Sequence, residues 1–268
     1  MKERGIKTNE TVTMDDIFKP HEESADLRTV LIEGRTGIGK TTLCNKRPFD
    51  WATKRQEAEN PSGIFFPNYR VILSLKCREI ESYLWESTER QLLPRSEKER
   101  ANEIFKSVFW DAIDDQLLPR DVTKDDKEEF FKFIPDNHPD ILPVLDGLDE
   151  LPTNMLAAFK EVVQGRMLTK CHILATARQE AGMEMRECCD TFLEIEGYAE
   201  EDALKFILRY FKKDAHLAEK LLKKLEFDMN LRQRSESPLN TVLLCLLCED
   251  FNGIFPELKL IKTWVLSY

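Results

Sequence analysis

No apolar run in the sequence is long enough to cross a bilayer. The longest, such as Val242–Cys248, falls far short of the roughly 18 residues that a membrane helix needs. An excess of positive charge is also missing: 39 Lys and Arg stand against 49 Asp and Glu, for a formal net charge of −10. That sign disfavours a nucleic-acid backbone as the main partner. Glycine and proline are scarce, at 10 and 12 of 268 residues, against average usage of about 7% and 5%. The chain therefore reads as helix-rich, not as an all-β sandwich. The four histidines, His21, His138, His172 and His216, include no i,i+4 pair, which leaves little support for a histidine metal site or triad. Residues 1–27 mix both charge signs and have no apolar stretch of the secretory kind, so the expected location is cytoplasmic.

Seven cysteines, an odd number scattered through a long chain, do not form the framework of a small secreted domain, and reduced thiols are expected. Cys245 and Cys248 have the spacing of a zinc or redox pair. No second pair follows and their surroundings are apolar, so they read as core packing. Cys188 and Cys189 lie in a polar stretch and carry no chemical expectation.

At about 150 residues per domain, the length predicts one large domain or one domain with an appendage. With 42% hydrophobic and 33% charged residues, a core can form. Five β-branched or aliphatic runs stand out: Thr29–Glu33, Arg70–Leu75, Ile141–Leu145, His172–Thr176 and Phe192–Ile195. Apolar strands alternating with helix-like segments predict an α/β fold with a mostly parallel five-stranded sheet covered on both faces. From about Ala199 the pattern becomes helical. Ala203, Phe206, Ile207, Tyr210 and Phe211 share a face, and Leu217, Leu221, Leu222 and Leu225 follow. The expected organisation is a polar lead-in over 1–27, an α/β domain over 28–198 with a helical insertion at 80–135, a small all-helical subdomain over 199–253, and an end segment at 254–268. Within the insertion, Trp85–Phe105 resembles Trp110–Phe130, sharing Gln-Leu-Leu-Pro-Arg at 91–95 and 116–120. Two copies are too few for a solenoid. A partner-binding surface arm and a plain local duplication both remain open.

The strongest chemical signal is Gly34-Arg-Thr-Gly-Ile-Gly-Lys-Thr41, a full G-x-x-x-x-G-K-[ST] match directly after the first strand. Glycines at 34, 37 and 39 let backbone N–H groups turn toward phosphate oxygens. The following helix presents the positive end of its dipole. Lys40 would add a full charge against the terminal phosphates, and the Thr41 hydroxyl would join the coordination of Mg²⁺. Gly34, Arg35, Thr36, Gly37, Ile38, Gly39, Lys40, Thr41 and Thr42 are thus the expected nucleotide-binding residues. The plain alternative is a tightly folded β-to-α turn. A second element is Ile141–Leu145 followed by Asp146-Gly-Leu-Asp-Glu150. A carboxylate ending a buried strand lies at the sheet edge where ligands of open α/β folds bind, so Asp146 is the expected metal ligand with Thr41. Asp149 and Glu150 are candidates to polarise an attacking water, or simply an acidic helix start.

Together, Gly34–Thr42, Asp50-Trp-Ala52, Leu145–Glu150, Thr176-Ala-Arg178 and Ser237-Pro-Leu-Asn240 resemble the NACHT module of NOD-like receptors, over roughly residues 14–253. The resemblance implies a P-loop NTPase of the STAND class, a switch holding ADP when closed and ATP when open, with Mg²⁺. It implies slow hydrolysis, innate immune or cell-death signalling, and assembly with other NACHT-containing chains. Arg178 matches the sensor arginine, which with Asp149 and Glu150 makes up the expected catalytic set; it also reads as a plain surface residue. Pro238 matches the proline that lies against the nucleotide, and equally reads as a helix-start proline. Preference for the adenine base rests on the resemblance alone. Gln179 stands where the family usually has proline, and Ala177 replaces a usual hydroxyl residue. No winged-helix subdomain follows Trp264–Tyr268, so a second expectation is a truncated, non-hydrolysing fragment that modulates full-length relatives. A small-molecule kinase is a third reading, less suited to the acidic segment.

Overall fold

A computed structural model describes residues 12, 16–18, 27–57, 69–80, 108–151, 156, 159–160, 162–164, 168, 170–179 and 185–253. Five strands form: β1 Thr29–Glu33, β2 Val71–Lys76, β3 Ile141–Asp146, β4 Ile173–Ala177 and β5 Thr191–Glu194. They make one parallel sheet in the order β2-β3-β4-β1-β5. The fold is therefore α/β, as the alternation of apolar runs predicts. Every residue of β1, β3 and β4 is buried, which is why these strands are predominantly apolar and do not alternate. At the edge, β5 alternates half-buried and exposed residues, the period of a strand with one face in solvent.

Pro143 lies inside β3, where it cannot donate to a ladder. Pairing with β4 starts just after it, at Val144↔Leu174, whereas pairing with β2 runs the whole length of the strand. A second proline, Pro48, lies inside α1 (Lys40–Glu57). It lacks the N–H that would reach the Cys44 carbonyl. That carbonyl instead accepts from the Ser74 hydroxyl of β2 at 3.3 Å, so the proline's lost bond becomes a link between helix and sheet.

Residues 108–117 are helical, and α2 spans Lys124–Asp136 with the Thr123 hydroxyl accepting from the Asp126 N–H at its start. Val108, Phe109, Ala112, Ile113 and Ile134 are buried in the same core as Leu31, Leu75, Ile141, Leu145 and Phe159. This part of the segment expected as an insertion contributes to the main core, at about 1.5–3 kcal/mol for each large side chain buried. The first copy of the duplicated stretch, 85–105, lies outside the described residues. In the second copy, the Gln116 amide accepts from the Lys76 N–H at 2.9 Å, at the end of β2.

The chain divides into two compact units. One contains Lys40–Glu194 together with the chain up to Gly34; the other contains Arg35–Gly39 and the chain from Ile195 on. In the second, α3 (Glu200–Tyr210), α4 (Ala215–Phe227), α5 (Met229–Arg234) and α6 (Pro238–Asp250) pack around Ile207, Phe211, Leu221, Leu225, Leu231, Leu244, Cys245 and Cys248. Asp214 caps α4 and Asp228 caps α5 through their carboxylates. Cys245 and Cys248 are fully buried in this core. Among the described residues, no helix is long and apolar enough to cross a membrane.

Candidate functional site

The Gly34 N–H donates to the Ala177 carbonyl at 3.3 Å, continuing the pairing of β1 and β4 for one more step. Lys40 then opens α1, and its ammonium donates to the Gly34 carbonyl at 2.6 Å. Thr41 and Thr42 are exposed on the first turn of the helix.

In the second unit, the intervening loop turns through Gly37 (φ +75°) and Gly39 (φ +113°), conformations that L side chains rarely adopt. Gly37 is crowded as well: a Cβ there would lie 3.0 Å from Leu239 Cβ. Its carbonyl accepts from the Leu239 N–H at 3.3 Å and the Ser237 hydroxyl at 3.2 Å. Pro238 lies between those two residues at the first turn of α6. Ile38 is buried, while Arg35 and Thr36 are exposed.

On the sheet, Asp146 is the last residue of β3 and only 8% exposed. Its Oδ1 accepts from the Thr176 hydroxyl at 2.9 Å, and the same hydroxyl oxygen accepts from the Gly147 N–H at 2.9 Å. Gly147 adopts a left-handed conformation (φ 79°, ψ 58°) that turns the chain into the short 3₁₀ segment Leu148–Glu150. Asp149 is nearly buried. It accepts from the Arg178 backbone N–H at 3.1 Å and pairs with Arg178 Nε at 3.2 Å. A terminal nitrogen of Arg178 reaches Glu150 Oε1 at 3.5 Å.

These charges share one neighbourhood. Burial lowers the pKa of Lys40; Asp149, Asp146 and Glu150 oppose that shift, and Arg178 adds to it. Burial, followed by the negative charge of Asp146, pushes the Cys44 thiol far up. The structure thus brings together Lys40, Asp146, Asp149, Glu150 and Arg178, five residues singled out from the sequence. Three further participants have no site role read from the sequence: Thr176, which stands in a resemblance motif, and Cys44, both of which contact Asp146, and Arg186, which pairs with Glu33 beside Gly34.

The donor set suits a hard cation. Asp146 offers carboxylate oxygen and Thr41 a hydroxyl, the ligands that Mg²⁺ prefers. Among the described residues, no group of three or more His, Cys, Asp or Glu could hold a metal ion. An ion here would therefore complete its shell with water and phosphate, which is the usual habit of Mg²⁺.

The family model described as NACHT domain matches residues 28–214. The NACHT, LRR and PYD domains-containing protein 1 homolog of Danio rerio is 24% identical, over 93% of this chain and 17% of its own length. Nucleotide-binding oligomerization domain-containing protein 2 of Bos taurus is 24% identical, over 79% of this chain and 19% of its own. The chain spans less than a fifth of the length of these two curated relatives. Among solved structures, the RuvB Holliday junction branch migration motor of Thermotoga maritima aligns at a TM-score of 0.35 and 12% identity, over 86% of this chain and 65% of that one. On the strength of the family match across the sheet and its loops, the chain belongs to the NACHT family of nucleotide-binding signalling NTPases.

Proposed function

We propose that the chain is an ATP/ADP-dependent signalling switch that binds its nucleotide with Mg²⁺ and hydrolyses ATP slowly. The observation that carries this reading is the gathering of Lys40, Asp146, Asp149, Glu150 and Arg178 at the carboxyl edge of the sheet, at the start of α1. Backbone amides of Gly34–Thr42 and the Lys40 ammonium bind the phosphates. Thr41 and Asp146 hold Mg²⁺, which neutralises charge on the phosphate oxygens when bound. Asp149 and Glu150 orient water and accept its proton. Arg178 acts as the sensor, exchanging its present carboxylate partners for phosphate. Pro238 is assigned to the nucleotide on resemblance alone.

The reading extends, on the resemblance to NOD-like receptors alone, to cytoplasmic innate immune or cell-death signalling; assembly with other NACHT-containing chains is in keeping with the word oligomerization in the name of one relative. Equilibrium dialysis with labelled ADP and ATP tests the core of the proposal. Uptake is expected from the wild type and not from Lys40→Ala, and equal uptake by both would refute it. Analysis of nucleotide released on denaturation identifies the base.

One observation favours a second reading, binding without turnover: Arg178 holds both acids that would serve the water. Multiple-turnover hydrolysis above the level of a Glu150→Gln control would eliminate it.

A further inference from the structure

We propose that Thr176 is the positioning residue that aims the Asp146 carboxylate at a divalent cation, and that its hydroxyl is what the site requires. The inference rests on the reading of Asp146 as a cation ligand. β3 and β4 run parallel with Leu145 opposite Ala175, so Asp146 and Thr176 are next in register and neighbours across the ladder. Thr176 is fully buried. A buried hydroxyl has one proton to give, and here its direction is fixed. The Gly147 N–H occupies the hydroxyl oxygen as acceptor at 2.9 Å, and the proton goes to Asp146 Oδ1 at 2.9 Å.

One carboxylate oxygen is thereby pinned, which sets the plane of the group and the direction of Oδ2. Cys44 lies against the same carboxylate from α1. Both contacts are neutral, and among the described residues Asp146 forms no ion pair, so its charge is held in place without being cancelled. Thr176 also ties the turn at Gly147, which leads to Asp149 and Glu150, to the strand that delivers Arg178 two residues later. Groups that orient a metal ligand in this way typically change metal affinity by about 10–100-fold when removed.

The test uses the full chain and mant-ADP, titrated in EDTA and again with increasing Mg²⁺. Thr176→Val keeps the shape and strand preference but removes the hydroxyl; Thr176→Ser restores it. The expected result is similar mant-ADP affinity in EDTA for all three chains. Thr176→Val should need about tenfold or more Mg²⁺ for the same gain in affinity, and Thr176→Ser should respond like the wild type. If valine does not fold, Thr176→Ala against Thr176→Ser gives the same comparison. A Thr176→Val chain with the wild-type Mg²⁺ response overturns this proposal alone, as does equal loss in EDTA and in Mg²⁺, which marks a merely structural role. A wild type that binds mant-ADP without responding to Mg²⁺ removes the cation from Asp146, and with it this proposal. A wild type that does not bind mant-ADP at all defeats both this proposal and the nucleotide reading beneath it.

Discussion

Glu33 and Asp146 end β1 and β3 at the same rim of the sheet, and both carboxylates are buried. Their partners differ in kind. Glu33 meets Arg186 at two points: Nε donates to Oε1 at 2.8 Å, and a terminal nitrogen reaches Oε2. The hydrogen bond to Glu33 raises the pKa of Arg186, whose guanidinium also lies 5.0 Å from the ring centroid of Phe192. Among the described residues, the hydrogen-bonding partners of the Asp146 side chain are a hydroxyl and a thiol. A buried carboxylate with its own cation is electrically closed, whereas one held by neutral donors keeps a charge to offer a ligand. The comparison separates two acids that composition and strand position make look alike. The open one is the acid whose charge reaches Lys40.

The largest effect should come from opening the closed end. Arg186→Leu leaves Glu33 buried without a counter-charge, at a cost of about 2–4 kcal/mol; the fully buried range is 3–5, and Arg186 is partly exposed. Urea denaturation of the nucleotide-free chain measures it. Adding Glu33→Gln should recover much of the loss, because the stranded charge is then gone. A double variant no more stable than Arg186→Leu would mean that Arg186 acts through Phe192, not through Glu33.

At the open end, neutralising the acid should affect binding and leave stability nearly unchanged. Asp146→Asn keeps an oxygen to accept from Thr176 and removes a buried charge, so the nucleotide-free chain should shift by less than about 1 kcal/mol in either direction. The response of nucleotide binding to Mg²⁺ should disappear. A loss of several kcal/mol instead would show that Asp146 belongs with Glu33 as a structural acid.

How much of this rim the sequence reveals depends on how local each signal is. The glycine spacing around Lys40 and the acids after β3 are local, and they mark the loop and the edge directly. Strand ends are less legible: Lys76 and Asp146 lie one residue past the apolar runs, yet they belong to their strands because they are register partners. Hydrogen bonding, not hydropathy, sets that limit. Arg186 is hidden for a different reason, being 153 residues from Glu33 and in a polar stretch with no pattern of its own. An acid closing an apolar strand signals that a partner exists without naming it. Thr176 has the same difficulty in milder form. It stands in a motif shared with the family, but its bond to Asp146 exists only once β3 and β4 are in register.

The smallest effect concerns the cation at the open end. Burial lowers the pKa of Lys40 from its ordinary 10.5, so the folded chain binds this proton less tightly than the unfolded chain does. The charged lysine therefore weakens the nucleotide-free fold at neutral pH. That penalty is fully present below the folded pKa, shrinks as pH rises toward 10.5, and is absent above it. Lys40→Met should stabilise the nucleotide-free chain at pH 7 by less than about 0.5 kcal/mol, discounted because solvent still reaches the ammonium. The gain should narrow between pH 7 and pH 10. Saturating ADP should reverse the order of the two chains, since phosphates favour the charge that burial disfavours. If Lys40→Met is instead the less stable chain at pH 7 without nucleotide, the bond to the Gly34 carbonyl and the nearby acids outweigh burial. The open end would then be closed by Lys40, much as Arg186 closes the other.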